Sequence, residues 1–154
     1  MKKLICTLLA VVCMFSLFAC GSGAESTAKD IDINAVKEQI IADLSMDGAM
    51  DLAPARLLAL YGIDEADIAE SACFVTMDGI LPDEIVMIKA TDADAADRIE
   101  AKLNTRLDEI KVQSQSYDPE NYAIAQECKV LREGNIVAMF MSAKHADMEV
   151  IFNK

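Results

Sequence analysis

The sequence predicts an α+β fold: a single antiparallel sheet of about four strands, two hairpins flanking a long helix, with helices packed mainly on one face. Three observations predict it. Short apolar runs rich in β-formers occur in two pairs, 72–77 with 84–90 and 122–132 with 136–143. Between the pairs lies one long stretch of helical periodicity, 91–115. Turn-forming residues separate the runs within each pair, Gly79 and Pro82 in the first and Glu133-Gly134-Asn135 in the second.

Each element follows from local chemistry. Residues 30–45 (DIDINAVKEQIIADLS) place Ile33, Val36, Ile40 and Leu44 at spacings of three and four, one face of a helix that Asp30 or Asp32 can cap. Gly48 breaks this pattern. Pro54 suits the first position of a second, short helix (PARLLALYG), and Gly62 is placed to end it. "IDEADIAES" reads as a turn leading into the sheet. The long helix shows Ala96, Ile99, Leu103, Leu107 and Ile110 on one face and acids in its first turn, where the helix dipole favours them. "YDPEN" ends it. In the second hairpin Gly134 is free to take positive φ. A final short helix is expected from about Lys144 to Phe152.

The first residues address location. Lys2 and Lys3 are followed by an uncharged run, Leu4 to Ala19, shorter than the roughly 20 residues a transmembrane helix needs. A basic start, a short apolar middle and a small residue at the boundary form the pattern of a signal peptide. Leu17-Phe18-Ala19-Cys20 resembles a bacterial lipobox, although Phe18 is bulkier than usual at its position. The expectation is cleavage before Cys20 and a diacylglyceryl thioether on its sulfur, since two acyl chains hold a protein stably where one does not. The chain then divides into a leader (1–19), a lipidated cysteine with a flexible tether (20–30) and one domain (31–154), held at the cell membrane and facing away from the cytoplasm.

Composition narrows the function. Loss of the leader takes two lysines and no acid, so the formal charge goes from −12 to −14. That balance repels nucleic acid and anionic polymers, so nucleic acid is not an expected partner. After cleavage and acylation, Cys73 and Cys128 are the cysteines left for folding chemistry. Both lie in apolar strand-like stretches, which favours buried free thiols; a disulfide between them is the alternative in an exported protein. There is no Cys-x-x-Cys.

Candidate chemistry is sparse. "DIDIN" places Asp30, Asp32 and Asn34 like the start of an EF-hand loop, but Ala35 and Ile41 stand where glycine and a bidentate glutamate are required, so helix capping is the better reading. Asp92, Asp94 and Asp97 fall in a helix's first turn, which explains them without a metal. His145 is the single histidine; it excludes a multi-histidine metal site within the chain and reads as an exposed side chain. Met77, Met87, Met139, Met141 and Met148 read as core. Asp83 and Glu84 point to opposite faces of a strand and read as a solvated edge. No catalytic residue, metal site or cofactor is therefore assigned.

"LYGID" (60–64), "LPDEIVMIKA" (81–90), "YDPENY" (117–122) and "REGNIVAMFMS" (132–142), in this order behind a lipobox, resemble the small Firmicutes lipoproteins that carry the domain called DUF4358. The resemblance spans roughly 33–152 and implies a one-domain lipoprotein without an assigned activity or catalytic residue. Two functions follow as expectations. The first is a non-catalytic, membrane-anchored module that binds a protein or small-molecule ligand or supports an envelope complex. The alternative is an envelope hydrolase, which requires acids such as Asp83, Glu84 and Asp118 to meet in a cleft.

Overall fold

The computed structural model describes residues 30–77 and 82–154. The predicted leader, Cys20 and the tether as far as residue 29 lie outside the described residues, as does Gly79.

In chain order the elements are α1 (Ile33–Asp43), β1 (Met50–Asp51), α2 (Pro54–Tyr61), a 3-10 turn (Glu65–Asp67), β2 (Ile68–Ser71), β3 (Phe74–Val75), β4 (Glu84–Ala90), α3 (Ala93–Tyr117), α4 (Pro119–Glu127), β5 (Val130–Glu133), β6 (Ile136–Met141) and α5 (His145–Phe152). The helix starts are built as the sequence directs. Asp32 accepts from the Asn34 and Ala35 amides at 3.1 and 3.0 Å, and Asp92 from Ala95 at 2.8 Å, each satisfying amides that the first turn leaves open. Pro54 opens α2, and Gly62 closes it in the left-handed region at φ 68°.

All strands pair antiparallel in one sheet ordered β1-β3-β4-β6-β5, with β2 also against β4. The expectation of about four strands is corrected to six. The 68–75 edge of β4 is interrupted at Ala72-Cys73 into β2 and β3, and a two-residue strand, β1, continues the sheet outside β3.

A second correction concerns 122–132. Only Val130–Glu133 is strand; Pro119–Glu127 is helix. Asp118 caps it, Pro119 fills the first helical position and Glu120 lies in the first turn, three start signals that together outweigh the apolar content of "YAIA".

The third correction is to the layering. Helices cover both faces of the sheet. On one face Val86, Ile88, Val137 and Met139 pack against Leu57 and Tyr61 of α2 and the Ile99, Leu103 and Leu107 stripe of α3. On the other, Ile85, Met87, Ala138 and Phe140 pack against Ile33 and Ile40 of α1 and Met148, Ile151 and Phe152 of α5. A strand covered on one side alternates; Ile85–Ile88 and Ile136–Met141 are buried without a break, as two-sided cover demands. The Phe140 and Phe152 rings meet edge to face at 5.8 Å and 70°.

Candidate functional site

Antiparallel register aligns Met50 with Val75, Val75 with Glu84, and Glu84 with Met141. Residues opposite one another share a face, so this row runs across the sheet on the side covered by α2 and α3. At its outer end lies a cleft of about 500 Å³, a volume suited to a small molecule. Apolar side chains make most of its wall: Met50 and Leu52 from β1 and its exit, Leu60 from α2, Val75, Met77 and Pro82. Met77, Met50 and Leu60 are 66, 49 and 43% exposed and gather around one opening.

A polar group closes the inner end. Glu84 is 5% exposed and takes both prongs of Arg106 from α3, Nε at 3.1 Å from Oε2 and Nη2 against Oε1. The Tyr61 hydroxyl neighbours the same carboxylate. Burial, and then the neighbouring Glu84 charge, raises the Tyr61 phenol well above its ordinary range. A carboxylate so engaged has its charge balanced in place by the guanidinium.

Of the residues selected from the sequence, Glu84 and Met77 line the cleft and the others fall elsewhere. Asp83 and Glu84 do not form a solvated edge: Glu84 is buried, whereas Asp83 accepts from the Thr76 hydroxyl at 3.1 Å. Asp118 caps α4, accepting from the Asn121 amide at 3.1 Å, and those Asn121 bonds hold its carboxyl below the usual range. It lies about 18 Å of helix beyond Arg106. The three acids of the hydrolase expectation therefore do not converge. Met87, Met139, Met141 and Met148 are core as expected, but Met77 is not. Asp92 is a cap and Asp97 pairs with Arg132 at 3.2 Å.

His145 is not an exposed side chain. It is half-buried at the start of α5, with Nε2 3.6 Å from Glu127 and Nδ1 3.6 Å from Glu149; Glu149 also pairs with Lys129 at 2.9 Å. Its position between two helices and the hairpin base was invisible in the sequence, because Lys144 and Ala146 beside it do face solvent.

Cys73 and Cys128 are free and buried. The Cys73 thiol lies 3.5 Å from the Met87 carbonyl oxygen, and Cys128 4.0 Å from that of Ser142. Both face the α3 side of the sheet, but β4 and β6 stand between them. Burial pushes the Cys73 thiol up to about 12 and raises Cys128 as well.

Arg106 and Arg56 were not singled out by sequence, and Leu60 and Tyr61 entered only within the strings "PARLLALYG" and "LYGID". One signal was present: Arg106 sits beside Leu103 and Leu107, at the margin of the apolar stripe of α3, where a guanidinium needs a partner. A second depression, about 420 Å³, lies between the 3-10 turn and α3, lined by Asp67, Arg98 and Lys102 among others. Arg98 grips Asp67 there through two nitrogens, at 3.0 and 2.6 Å. Among the described residues no helix is long and apolar enough to cross a membrane, and no three of His, Cys, Asp and Glu cluster to hold a metal ion.

No curated protein and no solved structure matches the chain. A family described as a domain of unknown function (DUF4358) matches residues 42–142, a stretch that holds every residue lining the 500 Å³ cleft and leaves out α5. The chain belongs to the DUF4358 family.

Proposed function

We propose that this protein is a non-catalytic binding module, tethered outside the cytoplasm through lipid on Cys20, and that the cleft beside Glu84 holds its ligand. The observation that carries the reading is the opening framed by Met50, Leu60 and Met77. Folding ordinarily hides such side chains, and an apolar concavity with few polar groups is the usual form of a small-molecule site. The engagement of Glu84 by Arg106 supports binding over hydrolysis, because the buried acid among the described residues of the cleft is committed to structure.

The module's orientation fits a tether. The chain enters the fold at Asp30, whose carboxylate lies 3.5 Å from Lys89 near the far end of β4, and Ile31 is already buried. Glu84 and the cleft occupy the other end of that strand, about 17 Å away. A ligand would therefore approach from the side opposite the tether.

A neutral solvatochromic dye such as Nile red should bind the native protein and lose that binding in Val75→Trp, which fills the cleft. Equal binding by both proteins would refute the site. Anchoring is tested separately: Cys20→Ala should lose incorporation of a fatty-acid analogue in cells, and retained incorporation would contradict it.

A further inference from the structure

The ionic groups lining the cleft are unequally satisfied. Asp51 is paired with Lys37 at 3.1 Å, and Glu84 with Arg106. The fourth charged residue among the described lining, Arg56, is exposed, and its side chain forms no ion pair or hydrogen bond among the described residues. Among the described lining residues both acids are thus paired and one guanidinium is left over, in a protein whose formal charge is −12. Arg56 lies in the first turn of α2, where the helix dipole disfavours positive charge. Beside it the wall is apolar, from Leu60, Met50 and Met77.

We infer that the ligand is a small amphiphilic anion, with an apolar body seated among Met50, Leu60 and Met77 and a carboxylate or phosphate headgroup on Arg56. This rests on the reading of the cleft as a binding site and specifies its chemistry. Guanidinium suits such a headgroup because its planar fork offers two parallel donors to two oxygens. Flexible methionines suit an apolar chain of unspecified shape. The occupant is a free molecule and not a bilayer lipid, because the cleft opens at the opposite end of β4 from Asp30, where the tether joins.

The test uses the full-length protein in phosphatidylcholine nanodiscs, with methionine methyl groups labelled and the Met50 and Met77 resonances followed by NMR. Octanoate, octanol and octylammonium are titrated in turn. Octanoate should shift both resonances and bind roughly fivefold tighter than octanol, the scale of one partly exposed charge pair. Octylammonium should bind more weakly than octanol. In Arg56→Gln the preference for octanoate over octanol should vanish, and in Arg56→Lys it should persist in part. Octanoate binding no better than octanol to the native protein would overturn the assigned headgroup while leaving the apolar site standing. Silence of both resonances toward all three probes would overturn the site itself. Shifts caused by phosphatidylglycerol discs, with octanoate ineffective, would place bilayer lipid in the cleft and overturn the free-molecule assignment.

Discussion

Glu84 of β4 and Arg106 of α3 join two-pronged across the gap between sheet and helix, with the Arg106 Nε 3.1 Å from the Glu84 Oε2. The pair closes the inner end of the cleft and couples the long helix to the central strand. Glu84 is nearly inaccessible, whereas Arg106 keeps a quarter of its side chain in contact with solvent. Removing either partner strands the other in unequal surroundings.

Glu84→Ala is therefore expected to lower unfolding free energy by about 3 kcal/mol, as for a broken buried pair. Arg106→Ala should cost at least as much, because the stranded carboxylate is the more deeply buried partner. The double substitution Glu84→Leu with Arg106→Leu should come within about 1 kcal/mol of the native protein, since an apolar pair of similar volume removes both desolvation penalties. Urea unfolding of the three variants checks this; strictly additive losses would show that the two residues are not coupled.

The ring contact on the opposite face gives a packing prediction. Phe140→Ala and Phe152→Ala should each cost about 3–5 kcal/mol, the range for large aromatic truncations in a core. Because the rings touch, the double variant should lose less than the sum. A double-mutant cycle by chemical denaturation would expose an interaction energy of about 1 kcal/mol.

The buried thiols set an alkaline limit. Burial pushes the Cys73 thiol up to about 12 in the folded protein, against an ordinary value of about 8.5 when unfolded. Between those values the unfolded chain has released a proton that the folded chain keeps, so stability falls as pH rises. It is fully present below about pH 8.5 and declines from there toward pH 12. Cys73→Ala should flatten that slope, measured as the urea midpoint at pH 8, 9 and 10. At pH 8 a thiol reagent should label Cys73 and Cys128 slowly in the native protein and rapidly in denaturant; fast native labelling would contradict their burial.

Asp67 provides the acid counterpart. The hydrogen bonds from Arg98 hold its carboxyl below the usual range. A depressed carboxyl contributes stability above its unfolded value of about 3.9, and that contribution is lost as pH falls through the folded value. Asp67→Asn should reduce the difference in thermal midpoint between pH 6 and pH 3. An unchanged difference would mean that the pair is too well solvated to matter.

Much of this architecture was legible in the sequence. The caps at Asp32 and Asp92, the proline start and glycine stop of α2, the α3 stripe and the Gly134 turn all depend on neighbours within a few residues, so local chemistry reveals them. What escaped depends on partners distant in sequence. The unbroken apolar runs of β4 and β6 carried a signal for cover on both faces, but not the identity of the helices on the second face, α1 and α5, which come from the two ends of the domain. Asp118-Pro119-Glu120 announced a helix that the apolar residues after it obscured. Glu84 looked like an edge residue because its partner stands 22 positions away, and which turn of α3 faces it depends on how helix and strand pack. The cleft was unreadable for the same reason, since its walls come from five elements, β1, α2, β3, β4 and α3, that only strand register and helix packing together bring side by side.

The broken outer margin of the sheet bears on behaviour at high concentration. β1 offers two residues and β2 and β3 are split at Ala72-Cys73, while the opposite margin, β5, is four residues long and carries Arg132 and Glu133. Neither side presents the long, flat, apolar ribbon on which a second copy could extend the ladder. Crowding many copies onto a small area would therefore bring acidic surfaces together without a template for fibrils, and the irregular edge acts as a built-in guard against self-association.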